Sequence, residues 1–172
     1  MISRRDFIQT TALTGLAAGT LRGASPLSET RWIDAHVHVW TPDMQKYPIA
    51  DSYKESDMVP ASFTPEELFA FSKPEGVAKV VLIQMSFYGF DNRYMLDCME
   101  KHAGVFAGVA VIDTSKADVV PTMRQMNEKG VRGFRIYADR EKANTWLASS
   151  SMKQMWSHAA ESGQSICLLA NP

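Results

Sequence analysis

The chain has 172 residues, with 18 Lys and Arg against 19 Asp and Glu, a net charge of -1, and 45% apolar and 22% charged residues. That balance excludes a basic nucleic-acid-binding surface and an intrinsically disordered chain, and leaves a soluble globular protein. About 150 residues beyond the N-terminus are enough to bury one core.

Residues 1–28 read as a signal peptide and linker. Ser3, Arg4, Arg5, Asp6, Phe7 and Ile8 resemble a twin-arginine export signal. The Gly/Ala/Thr-rich segment from Thr10 to Leu21 is too short and too weakly apolar for a stable membrane anchor. Export to a bacterial periplasm is therefore expected, with residues 1–25 engaging the twin-arginine machinery. A disordered basic tail is the alternative.

Residues 29–172 hold five short, mostly apolar runs: 32–40, 78–87, 105–113, 130–137 and 164–171. Near-continuous apolar character, rather than alternation, predicts strands covered on both faces in a parallel sheet. Helices fall between them. Thr64, Pro65 and Glu67 make an N-cap, a first-position Pro and a capping-box Glu. Asp91 is the expected cap of a second helix carrying Tyr94, Met95, Cys98 and Met99. A third runs from about Asp118 to Lys129, and a fourth from near Ser151, with Gln154 in the box position, to Gly163. Met85, Met95, Met99, Met123 and Met126 read as core filler. Cys98 and Cys167, on a helix and a late strand, are expected as free thiols.

This alternation implies right-handed βαβ units, in either a doubly wound sheet or a TIM-type barrel. No G-x-G-x-x-G follows the first strand, which disfavours a nucleotide-binding fold. The sequence stops at Pro172 just after the fifth strand, whereas a complete barrel needs about 250 residues. The expectation is a partial (β/α)8 barrel of about five parallel strands and four helices, truncated after strand 5. The loop at 41–63, with three prolines and two tyrosines, is far longer than a minimal βα connection and is expected to act as a lid or binding loop.

The run RWIDAHVHVW places His36 and His38 two residues apart on a predicted strand, so both imidazoles project from one face. Imidazole suits borderline metals, and a catalytic zinc takes three protein ligands and leaves one position for water. A pair of half-buried structural histidines is the plainer reading.

Ile33 to Trp40, Tyr47-Pro48, Val81 to Gln84 and Gly130 to Arg135 together resemble the amidohydrolase-related hydrolases of TIM-barrel fold, specifically a branch of fuconolactonase-like and dicarboxylate-lactonase-like enzymes. The resemblance implies hydrolysis of a lactone or a related C–O or C–N bond, with a carboxylated or sugar lactone as small-molecule substrate. It also implies a divalent metal, zinc foremost, held by the catalytic pair His36 and His38, although some lactonase-like relatives need none. In the wider superfamily further ligands come from strands five, six and eight. Here the fifth strand, Ile166 to Pro172, has no His, as in the lactonase-like branch. A catalytically silent, ligand-binding fragment is the alternative. A TatD-like nuclease is disfavoured, since no basic patch accompanies the histidines.

Four further residues at predicted strand ends are candidates for substrate binding: Gln84, Arg135, Tyr137 and Asn171. Arg135 suits a carboxylate through bidentate pairing, with a salt bridge to Asp113 as its structural alternative. Gln84 reads equally as a satisfied core amide. His102 and His158 fall on predicted helices, away from the strand ends.

Overall fold

A computed structural model describes residues 31–138 and 143–170. The expected signal segment and Asn171 lie outside these residues. Five strands, β1 (Trp32–Val37), β2 (Val77–Ile83), β3 (Phe106–Ala110), β4 (Val131–Ala138) and β5 (Ser165–Ala170), alternate with helices α1 (Pro65–Ser72), α2 (Arg93–Lys101), α3 (Val119–Glu128) and α5 (Ser150–Ser162). A single turn, α4 (Ala143–Trp146), precedes α5 and was not anticipated.

The sheet order is β1-β2-β3-β4-β5 with every neighbouring pair parallel. A doubly wound sheet reverses direction at a switch point, whereas a barrel adds each strand beside the last. The sequential order therefore selects a half-barrel. Its two edges stay open: Trp32 and Ile33 on β1, and Leu168 and Leu169 on β5, are exposed.

Helix starts follow local capping chemistry, with two departures from expectation. For α1, Thr64 Oγ1 accepts from the Glu67 amide while the Glu67 carboxylate accepts from the Thr64 amide at 2.6 Å, the reciprocal pair that satisfies two orphan donors. At α2 the residue before the helix is Asn92, whose side chain makes no capping bond, and the capping contact comes from Asp91 one residue earlier. Asp91 accepts from the Arg93 amide, the first of the helix, and pairs with the Arg93 guanidinium at 2.6 Å. The α5 cap is Ser149, whose hydroxyl accepts from the Met152 amide. Gln154 thus lies too far along the helix for a box and approaches Ser150 instead. Gly163, at φ 70°, closes α5 in the left-handed region that Gly enters without strain.

The core lies between the outer face of the sheet and the helices. Val80, Leu82, Phe134 and Ile136 pack there against Met95, Met99, Met123, Met152 and Met155. Met85 and Met126 are partly buried against the same cluster. Cys98 is buried and Cys167 half-buried, both as free thiols, and burial pushes the Cys98 thiol up to about 11. Among the described residues no helix is long and apolar enough to cross a membrane.

The first three strands end earlier than their apolar runs, because the chain leaves the sheet at its C-terminal rim. Trp40 pairs with Phe63 in an antiparallel bridge that closes the base of the long loop. Inside that loop Tyr47 stacks edge-on against Tyr94 and donates to Asp97 at 2.6 Å. The Thr41 amide donates to Tyr88 Oη, and the Ala50 amide to the Phe87 carbonyl. The loop is thereby fastened over α2 and the β2–α2 connection.

Candidate active site

Alternation along the strands sorts the site residues. On β4, Phe134 and Ile136 face the helices, so Arg135 and Tyr137 face the concave side. On β1 the register with β2 shifts between Asp34 and Val37; past that irregularity Val37, beside Leu82, faces the helices, so His36 faces the concave side and His38 follows one residue past the strand end. His36 and His38 converge: their Nε2 atoms are 3.2 Å apart and the rings meet edge to face.

The tautomers follow from the partners. His38 Nδ1 lies 2.9 Å from the Ile83 carbonyl. A carbonyl only accepts, so Nδ1 carries the proton and Nε2 of the neutral ring presents its lone pair. Arg135 Nη2 lies 3.0 Å from His36 Nε2. A guanidinium only donates, so His36 also presents a lone pair at Nε2. Two lone pairs thus point into one space. Burial, with the Arg135 charge and the neighbouring ring, holds the His38 imidazole below its ordinary value, which opposes relieving the clash by protonation.

This donor set fits a metal at two positions. Two Zn–N bonds of about 2.05 Å at a tetrahedral angle span roughly 3.3 Å between nitrogens, against the 3.2 Å found. The bond from His38 Nδ1–H to the Ile83 carbonyl is the orienting contact typical of a ligating histidine. Among the described residues no third His, Cys, Asp or Glu joins the pair. Asp34 accepts from the His36 amide at 3.1 Å and steadies the strand end.

The remaining candidates divide. Arg135 is buried beside His36 and not paired with Asp113, which accepts from the Ser115 amide and hydroxyl. Tyr137 Oη lies 3.0 Å from Ser86 Oγ at the rim, a partner that no spacing in the sequence announced. The Ile83 carbonyl, which orients His38, was equally invisible, since a backbone group leaves no residue-type signal. Gln84 was expected to face the barrel lumen, but it continues the helix-facing parity of Val80 and Leu82 and donates from Nε2 to the Asp91 carbonyl at 2.7 Å. Its buried Oε1 has no partner among the described residues. His102 caps α2 and His158 lies within α5, both remote from the histidine pair.

A parallel half-barrel with two histidines converging beside an arginine at the C-terminal ends of its strands has the layout of the active-site face of a TIM barrel. The amidohydrolase family model matches residues 33–169, and the chain belongs to that family. It is 33% identical over 104 residues to a 2-pyrone-4,6-dicarboxylate hydrolase of Comamonas testosteroni, covering 60% of this chain and 32% of that one. A probable 2-pyrone-4,6-dicarboxylic acid hydrolase of Acinetobacter baumannii, solved with citric acid bound, superposes with a TM-score of 0.62 at 15% identity, over 81% of this chain and 49% of that one. An amidohydrolase of Burkholderia multivorans with bound zinc gives 0.61 at 15% identity, over 80% and 48%. The chain thus spans about a third of the length of curated relatives it matches and about half of these solved barrels.

Proposed function

We propose that this chain carries the carbonyl-polarising part of a hydrolase site that opens a lactone bearing a carboxylate. The observation that supports the reading best is that His38 and Arg135 both come within hydrogen-bond distance of His36 Nε2 at the strand ends. Its kinship with a 2-pyrone-4,6-dicarboxylate hydrolase supports a cyclic ester with an anionic substituent.

His36 and His38 would hold a divalent ion through Nε2, and such an ion supplies Lewis-acid polarisation of a carbonyl and a bound water of lowered pKa. The protein's own groups do the rest. The Ile83 carbonyl fixes the His38 ring so that Nε2 stays directed at the substrate space. Arg135 offers a planar fork to a carboxylate, which orients the ester relative to the histidines. Tyr137, with Ser86, offers a hydroxyl at the rim for a second polar group of the substrate. Gln84 acts indirectly, by tying the end of β2 to the loop ahead of α2. The loop at 41–63 leaves the C-terminal end of β1 and is held against Phe87, Tyr88 and α2. A metal-free version, in which the two imidazoles donate hydrogen bonds to the carbonyl oxygen, requires Nε2–H on both rings, the opposite of the state that the Ile83 and Arg135 contacts set.

The general base is not among these groups. A second reading is binding of the same anion, through Arg135 beside the histidine pair, without turnover. Release of acid from 2-pyrone-4,6-dicarboxylate and from a panel of sugar lactones, before and after chelation, tests both. Hydrolysis of the carboxylated lactone supports the first reading; binding without acid release leaves the second.

Export rests on the Ser3-Arg4-Arg5-Asp6-Phe7-Ile8 motif. Replacing both arginines by lysine is expected to retain the protein in the cytoplasm of a bacterial host. Periplasmic recovery of that variant would count against a twin-arginine signal.

A further inference from the structure

We infer that Arg135 competes with a divalent metal ion for the lone pair of His36, and that an anionic ligand decides the competition by drawing the arginine away. This deepens the proposed function and rests on it.

A neutral imidazole has one in-plane lone pair at Nε2. In this structure Arg135 Nη2 donates to it at 3.0 Å. A metal ion bound by His36 would use the same electrons, so the two states exclude each other. Charge strengthens the exclusion. The guanidinium is always charged, Arg135 is 7% exposed, and two cations a few ångströms apart in a partly desolvated pocket repel strongly. Without an anion, therefore, Arg135 blocks one of the two metal positions.

A carboxylate offers the guanidinium a better partner. Two parallel charge-assisted bonds replace a single bond to a neutral ring. Once Arg135 turns to that anion, His36 Nε2 is released and the 3.2 Å pair of nitrogens is free to chelate. Anion and metal then favour each other's binding. Linkage requires the factor to be the same in both directions, and such couplings are typically about 5- to 150-fold.

The test uses the full chain and Zn²⁺ as probe, with zinc dissociation constants measured by competition against a chromophoric chelator. Isophthalate serves as the anion, since its two carboxylates are too far apart to chelate one zinc ion. The wild-type chain should bind zinc about fivefold or more tightly when isophthalate is saturating. Isophthalate should bind more tightly by the same factor when zinc is saturating. Arg135→Met should bind zinc about tenfold more tightly than wild type without the anion, and should show no response to isophthalate. The wild-type measurements stand alone if the variant fails to fold. Equal zinc affinity with and without isophthalate in the wild-type chain, or no zinc binding under either condition, overturns the inference. Lactone hydrolysis without this linkage would sink the inference and spare the proposed function. Linkage without hydrolysis would do the reverse.

Discussion

Arg135 Nη2 on β4 stands 3.0 Å from His36 Nε2 on β1, with β2 and β3 lying between the two strands. In a flat sheet three strand spacings of about 4.8 Å would hold these backbones roughly 14 Å apart. Side chains that stand off a sheet do not meet over that distance unless the sheet curls. The contact is therefore a product of barrel curvature, and it is where sequence-distant residues become one site.

If Arg135 orients the substrate through its carboxylate, then Arg135→Met should raise KM for a carboxylated lactone at least about tenfold in the intact enzyme, with a smaller change in kcat. Arg135→Lys should recover little, because a point charge does not reproduce the bidentate fork. Steady-state kinetics on carboxylated and uncharged lactones check this. An equal loss on both substrates would assign Arg135 to something other than the carboxylate.

His38 has two separable duties, bonding the Ile83 carbonyl through Nδ1 and presenting Nε2. Asn at this position places an amide donor near Nδ1 but nothing at Nε2. His38→Asn should therefore keep stability within about 1 kcal/mol of wild type, while His38→Ala loses roughly a further 1 kcal/mol by orphaning the carbonyl. Both should lose zinc. Denaturant midpoints beside metal analysis separate the duties, and a His38→Asn chain that still holds stoichiometric zinc would exclude this residue as a ligand.

Asn92 spends its side chain on the strand layer rather than on its helix. Its Oδ1 accepts from the Val111 amide at 3.0 Å, and its Nδ2 donates to the Val111 and Phe90 carbonyls. The group is buried, so Asn92→Asp introduces a charge and removes the donor together. A loss of about 3 kcal/mol is expected, read as a lowered urea midpoint. An unchanged midpoint would mean that the three hydrogen bonds of Asn92 contribute nothing net to stability.

Asp97 links the long loop to α2 by accepting from Tyr47 Oη. That bond, with a smaller contribution from Lys46, holds its carboxyl below the ordinary value. A depressed carboxylate stabilises the fold fully above its unfolded pKa and loses that stability as pH falls through the folded one. Between about pH 4 and pH 2 the wild-type thermal midpoint should therefore fall further than that of Tyr47→Phe. The difference should be small, because the group is half exposed and screened by solvent. Parallel curves for the two proteins would remove Asp97 from the acid response.

Much of this protein is written locally. The capping box at Thr64, the left-handed Gly163, the β-rich runs and the His36-x-His38 spacing all depend on neighbours within a few residues. Backbone hydrogen bonding and side-chain period act over that same range, so element order and the histidine pair were legible without coordinates. The start of α5 moved to Ser149 because several adjacent serines are competent caps, and packing of the surrounding loop chooses among them.

What only the tertiary structure decided is which faces meet. Sequential parallel order chose a barrel over a doubly wound sheet, parity turned Gln84 towards the helices, and curvature put Arg135 on His36 instead of Asp113. Those outcomes depend on pairing between segments tens of residues apart, and a pairing of that kind has no signature in residue type or spacing. The sequence by itself determined that two imidazoles share one face; the fold determined what stands opposite them, because a side chain's partners across a sheet follow from its curvature and not from its neighbours in the chain.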